Sequence, residues 1–279
     1  MTSPDQYSPD ALRALLSWYA EMGIQDVVGD TSSDMRDWGA APKLAAQATK
    51  KTPPPKPAAA TQPAPIQPLQ DMETGEAIAQ ATKLAAAAQD IAALREAIQQ
   101  FEGCPLKPGA RNTVIDDGFF GAPVLILGEA PGRDEDKIGK PCVGHAGQLL
   151  DRMIGAINLS RHDDDRDKAY IANTIFWRPP GNRAPKPDEI AICLPFVHRI
   201  IDLAKPKLIM TLGNVPTQAL FPDAPGITKA RGKWREFNTP SGQAYPVLPL
   251  FHPAFLLRSP QQKKASWADL LAVKARLHA

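Results

Sequence analysis

Four short apolar runs in this chain each end on a residue able to do chemistry. Pro123–Gly128 leads into Glu129-Ala130-Pro131-Gly132 and then Arg133-Asp134-Glu135-Asp136. Ala169–Asn173 ends on an amide, Lys207–Leu212 on Gly213-Asn214, and Pro246–Phe251 on His252-Pro253. Carboxylates orient water, an amide reads a donor–acceptor edge, and a histidine can donate to an oxygen that gains charge in a transition state. Each also has a plainer reading. Asn173 has the donor and acceptor needed for one edge of a base, yet Asn is a common turn residue, and His252 can be a buried, hydrogen-bonded strand-end histidine. Cations lie beyond the same runs, in Arg178-Pro179-Pro180-Gly181-Asn182-Arg183, in Arg231-Gly232-Lys233-Trp234 and at Arg258, Lys263 and Lys264. Such loops suit phosphates or are solvated turns. Taken together, cations around a base-reading group point to an enzyme acting on a nucleic-acid base.

These groups form one site only if the runs are neighbouring strands. Helical patterns at Ala146–Ile157, Lys186–Leu203 and Val215–Phe221, with a last one near Ser266–Leu277, separate or follow them. Alternation of this kind predicts an α/β fold with a mainly parallel sheet covered by helices on both faces, its ligands at the carboxyl ends of the strands.

Upstream, residues 1–39 carry an amphipathic helix, with Ser8 as N-cap, Pro9 at the first helical position, and Leu12, Leu15, Leu16, Tyr19 and Met22 on one face. It either docks an unknown partner or packs on the main domain. Residues 40–75 are rich in Ala, Pro, Lys and Gln and read as a disordered linker. An Ala-rich helix over Glu76–Gln100 then leads into the main domain, residues 76–279. The 279 residues carry a net charge of +2, which permits nucleic-acid binding without requiring it. Three scattered cysteines, Cys104, Cys142 and Cys193, with no C-x-x-C pair, indicate neither a disulfide framework nor a complete zinc site. With no signal-like N-terminus, a soluble, cytoplasmic monomer is expected.

In order along the chain, Gly128-Glu129-Ala130-Pro131-Gly132 with Glu135-Asp136, then Gly139-Lys140-Pro141, Val143-Gly144, Ala146-Gly147, Leu149-Leu150-Asp151, Asn173, Arg178-Pro179-Pro180-Gly181-Asn182-Arg183, Thr211-Leu212-Gly213, His252-Pro253-Ala254 and Leu256-Leu257-Arg258 resemble the uracil-DNA glycosylase superfamily, and within it family 4. The resemblance covers roughly residues 101–274. It implies a three-layer α/β/α sandwich around a central four-stranded, mainly parallel sheet, which flips uracil out of DNA and hydrolyses its N-glycosidic bond to leave an abasic site. By the same resemblance Gly128, Glu129, Ala130, Glu135, Cys142, Asn173 and His252 contact uracil. Asn173 pairs with the base edge, His252 faces O2, Glu135 stands near C5, and Glu129 is one candidate to orient water. Arg178, Asn182, Arg183, Arg231, Lys233, Ala254, Phe255, Leu256, Leu257 and Arg258 contact DNA, single- or double-stranded, with Leu256 or Phe255 filling the space the base leaves.

Two departures from the family pattern matter. Family 4 members typically hold a 4Fe–4S cluster on four cysteines; Cys104 and Cys193 match two of those places, but Phe101 and Trp177 occupy the others. Rings cannot ligate iron, so no metal or cofactor is expected. Cys142 stands where the family places a phenylalanine that stacks on uracil, leaving Phe251 or Phe120 to substitute. That loss motivates two competing readings: a protein that binds uracil or abasic DNA without turnover, or a glycosylase for deaminated purines.

Overall fold

The computed structural model describes residues 74–162 and 167–278. The expectations for the N-terminal helix and for the linker up to residue 73 lie outside the described residues. Among the described residues, no helix is long and apolar enough to cross a membrane.

The four runs become four parallel strands at the centre of one sheet: β2 (Val124–Gly128), β4 (Asp167–Asn173), β5 (Leu208–Leu212) and β7 (Ala244–Leu250), in the spatial order β4-β2-β5-β7. Two antiparallel edge strands extend it, β1 (Asp116–Gly118) beside β4 and β6 (Arg235–Asn238) beside β7, and a two-residue strand β3 (Leu159–Ser160) also pairs with β4. The sheet is therefore larger than the four strands expected. Edge strands of three or four residues with one apolar side chain or none carry no hydrophobic pattern to read.

β2 and β5 are buried along their whole length, as strands covered on both faces must be. Side chains alternate between the two faces. Leu125, Leu127, Tyr170, Ile209 and Val247 meet the helices α1 (Thr74–Ala87), α2 (Ile91–Gln100) and α5 (Pro187–Ala204). Val124, Ile126, Ile171, Met210 and Leu248 meet α4 (His145–Gly155), α8 (Pro253–Arg258) and α9 (Lys263–Leu277). The short helices α3 (Arg133–Ile138), α6 (Asn214–Leu220) and α7 (Ile227–Ala230) lie in the connections. The result is an α/β/α sandwich.

The single helix expected over Glu76–Gln100 is two. Asp90 ends the continuity by leaving helical geometry (φ −143°, ψ 175°) and accepting a hydrogen bond from Ala93 N at 2.8 Å, which makes it the N-cap of α2. The last helix also begins earlier than expected, at Lys263 rather than Ser266.

Candidate functional site

Because β2, β4, β5 and β7 are parallel, their carboxyl ends lie along one edge, and residues at and after the ends of β2, β4 and β7 surround a cavity of about 480 Å³. That volume falls within the roughly 300–1,000 Å³ of small-molecule sites. One wall is the segment after β2, with Glu129, Ala130, Pro131, Gly132 and Glu135. A second holds Cys142 and Ala146, and Asn173 closes the end of β4. His252, Ala254, Phe255 and Arg258 come from α8 and its cap, while Pro179, Asn182 and Arg183 form the outer rim.

The β2 and β4 ends are tied tightly. Gly128 pairs in register with Asn173, and Gly128 O accepts from Thr174 N at 2.9 Å and from Thr174 Oγ1 at 2.8 Å. A Cβ on Gly128 would stand 2.6 Å from Asn173 Oδ1, so the closeness of the amide requires glycine there. Asn173 is 2% exposed, and its Nδ2 is buried with no hydrogen-bond partner. A buried amide nitrogen left unsatisfied costs about 1–3 kcal/mol, and this one is positioned to donate to an acceptor in the cavity.

His252 caps α8, its Nδ1 accepting from Ala254 N at 3.1 Å. An acceptor at Nδ1 places the ring's proton on Nε2. Burial, reinforced by the Arg258 charge and opposed by Glu135, pushes the imidazole down to about 4. It is therefore a neutral donor at physiological pH. Glu129 has its carboxyl raised by burial and makes no side-chain hydrogen bond among the described residues. Glu135, by contrast, is saturated: Oε2 accepts from Gly132 N at 3.1 Å, and Oε1 from Val143 N at 3.1 Å and Gly144 N at 3.3 Å. Cys142 takes a left-handed backbone conformation (φ 53°), and desolvation pushes its thiol up to about 12, away from the thiolate form.

Several expected contacts fall elsewhere. Leu256 is 1% exposed and belongs to the core, so it cannot enter DNA; its neighbour Leu257 is 43% exposed. Arg183 is turned onto Glu189, at 2.9 Å from Oε2, and Arg231 onto Asp269 and Ala265 O, so both hold the fold together. Arg178 donates to Asn182 Oδ1 at 2.6 Å, and Lys233 is exposed. Neither Phe251 nor Phe120 reaches the cavity. Phe251 is buried behind Phe255, ring centroids 4.8 Å apart, and Phe120 packs on Tyr170. The ring on the cavity is Phe255.

With this geometry in view, the family model described as the uracil DNA glycosylase superfamily matches residues 116–271, from β1 into α9. The chain belongs to the uracil-DNA glycosylase superfamily. Among similar proteins, the type-4 uracil-DNA glycosylase of Saccharolobus solfataricus is 38% identical over 189 residues, 66% of this chain and 85% of that relative. The one from Sulfurisphaera tokodaii is 37% identical over 65% of this chain and 82% of its own length, and the one from Thermotoga maritima 36% identical over 59% and 81%.

This superfamily member does not fit the iron–sulfur cluster that its resemblance to family 4 implies. Cys104 and Cys193 are both buried free cysteines, and burial pushes the Cys193 thiol well up. Phe101 and Trp177, each 1% exposed, stand at the other two places with ring centroids 6.4 Å apart, and Phe196 and Phe176 pack edge-on against them. Trp177 Nε1–H is satisfied by Thr113 Oγ1 at 3.0 Å. Two thiols are too few, and rings fill the space between the helices. Among the described residues, no cluster of three or more His, Cys, Asp or Glu is placed to hold a metal. These rings make the region's stability rest on apolar packing. Trp177→Ala should therefore lower unfolding free energy by about 3–5 kcal/mol, read by urea denaturation of the full chain.

Proposed function

We propose that this glycosylase takes a uracil flipped out of DNA into the cavity and hydrolyses its N-glycosidic bond, leaving an abasic site. The observation that carries the reading is the unpartnered, buried Asn173 Nδ2 in the cavity wall. Uracil presents an O4 acceptor to that nitrogen and an N3–H donor to the amide oxygen, whereas cytosine presents the reverse and leaves both unpaired. Breaking the bond moves negative charge onto the departing base. A neutral His252 donating from Nε2 to O2 holds that charge better than it holds the intact base, which is what lowers the barrier. Glu129, without side-chain hydrogen-bond partners among the described residues, orients the attacking water. Glu135 excludes thymine: three backbone N–H bonds fix its carboxylate, so it cannot swing aside for a C5 methyl.

DNA engagement follows from exposure. Leu257 fills the gap left by the base, in place of the buried Leu256, and Arg258, Arg178 and Lys233 meet phosphates. The protein acts as a monomer on uracil-containing DNA.

With Cys142 at the stacking position, the flipped base lacks a ring there. Cys142→Phe should strengthen inhibition by free uracil roughly 5- to 150-fold, since base–aromatic stacking is worth about 1–3 kcal/mol. The left-handed backbone penalises both residues alike, so it offsets little of that gain. Competition by uracil in a steady-state excision assay measures it; unchanged inhibition would place residue 142 off the base plane.

The function itself is tested by incubating the full chain with oligonucleotides carrying uracil, hypoxanthine or xanthine and treating with alkali. Scission at uracil is expected. Binding without scission would favour a non-catalytic binder, and scission only at the purines a different base.

A further inference from the structure

The turn carrying Cys142 is gripped from two sides by charged groups that the chemistry above does not use in this way. Arg161, 5% exposed, lies just after β3. Its Nη1 donates to Pro141 O at 2.9 Å and its Nη2 to Cys142 O at 2.6 Å. The same guanidinium is held by Asp151 through Nε at 2.8 Å and Nη2 at 2.9 Å, and by Asp117 through Nη1 at 3.3 Å. From the other side, Glu135 accepts the next two backbone N–H groups, Val143 and Gly144. The peptide unit between Cys142 and Val143 thus has its carbonyl on a cation and its N–H on an anion, both charge-assisted and both favourable to its dipole.

Two further features make the grip consequential. Cys142 has φ 53°, a conformation that a residue with a side chain resists and glycine does not. Its carbonyl also packs so closely on α4 that a Cβ on Gly147 would stand 1.8 Å from it, so the turn has one seating. The Pro141 and Cys142 carbonyls lie in no helix or strand that would otherwise hold them. Released from Arg161, the turn would relax away from positive φ and carry the Cys142 wall with it.

We propose that Arg161 is a positioning residue for base excision: by holding the Pro141 and Cys142 carbonyls against Glu135's hold on Val143 and Gly144, it fixes the cavity wall on which the flipped base lies. This rests on the cavity being the base site. Arg161 touches no reacting atom and acts through the turn.

Arg161→Lys tests it, since the ammonium keeps a cation beside Asp117 and Asp151 but cannot serve two carboxylates and two carbonyls in the fork geometry. Its melting temperature should stay near that of the parent and its affinity for undamaged duplex unchanged, while single-turnover excision of uracil falls roughly 10- to 100-fold, as for a displaced site wall. Independently of any excision, the Cys142 thiol should react faster with a disulfide reagent in Arg161→Lys than in the parent; Cys104 and Cys193 are buried and serve as the slow background. Parental excision and parental thiol reactivity in Arg161→Lys would overturn the proposal, as would faster thiol reaction with undiminished excision. If the parent fails to excise uracil, the base reading falls, and the thiol kinetics alone then decide whether Arg161 holds the turn.

Discussion

His252→Ala should slow uracil excision roughly 100- to 1,000-fold while leaving DNA affinity nearly unchanged, the effect expected when one donor to a developing oxyanion is removed. The geometry is specific about why. Nδ1 is occupied by Ala254 N, so the ring can offer only Nε2–H to the base. Burial keeps the imidazole neutral down to about pH 4. The interaction strengthens only as the bond breaks, so the loss should appear in the single-turnover rate rather than in binding. The pH dependence carries a sign that can be checked. A histidine at its ordinary 6.5 would give an inflection there, whereas one lowered to about 4 gives none, and the ring gains its charge and Nδ1 loses the bond from Ala254 N only as pH falls through about 4. Glu129, raised by burial, contributes an earlier fall on the acid side, and Glu129→Gln isolates the histidine limb. An inflection near 6.5 in that variant would remove the neutral imidazole from the mechanism.

Asn173→Ala should lower kcat/KM on uracil DNA by about 2–4 kcal/mol, or roughly 30- to 1,000-fold, because the base then enters the cavity with its O4 and N3–H unpaired. Its effect on stability should run the other way. The parent fold already carries the cost of a buried Nδ2 with no partner, and alanine removes the group that bears it. The variant should therefore melt at the same temperature or slightly higher, while excision collapses. That opposite movement distinguishes a recognition group from a structural one: a turn-stabilising asparagine would lose stability when truncated. Thermal melting and single-turnover kinetics on the same preparation decide between them.

Much of the site was legible because strand ends are marked twice in a sequence, by the apolar run and by what stops it. Glu129, Asn173 and His252 each follow such a run, and parallel topology then brings their strands' carboxyl ends to one edge, where all three line the cavity. The helix face of Leu256-Leu257-Arg258 was not legible in the same way. Neighbours in sequence point about 100° apart on a helix, so one leucine enters the core and the next faces solvent, and which does so depends on where α8 packs. Likewise, nothing local in the sequence showed that Glu189 and Asp269 would stand beside Arg183 and Arg231.

The sequence by itself determined the family, the parallel centre of the sheet, most of the residues that line the cavity and the missing pair of cluster cysteines, since these depend on residue type and local order. Tertiary structure alone decided the edge strands, the identity of the cavity ring as Phe255, the burial of Asn173 Nδ2 in the cavity wall and the seating of the Cys142 turn. Arg161 shows the physical reason most directly. Its partners Asp151, Pro141 and Asp117 lie 10, 20 and 44 residues away, and no local pattern encodes which carboxylates and carbonyls a buried guanidinium will meet once the chain closes around it.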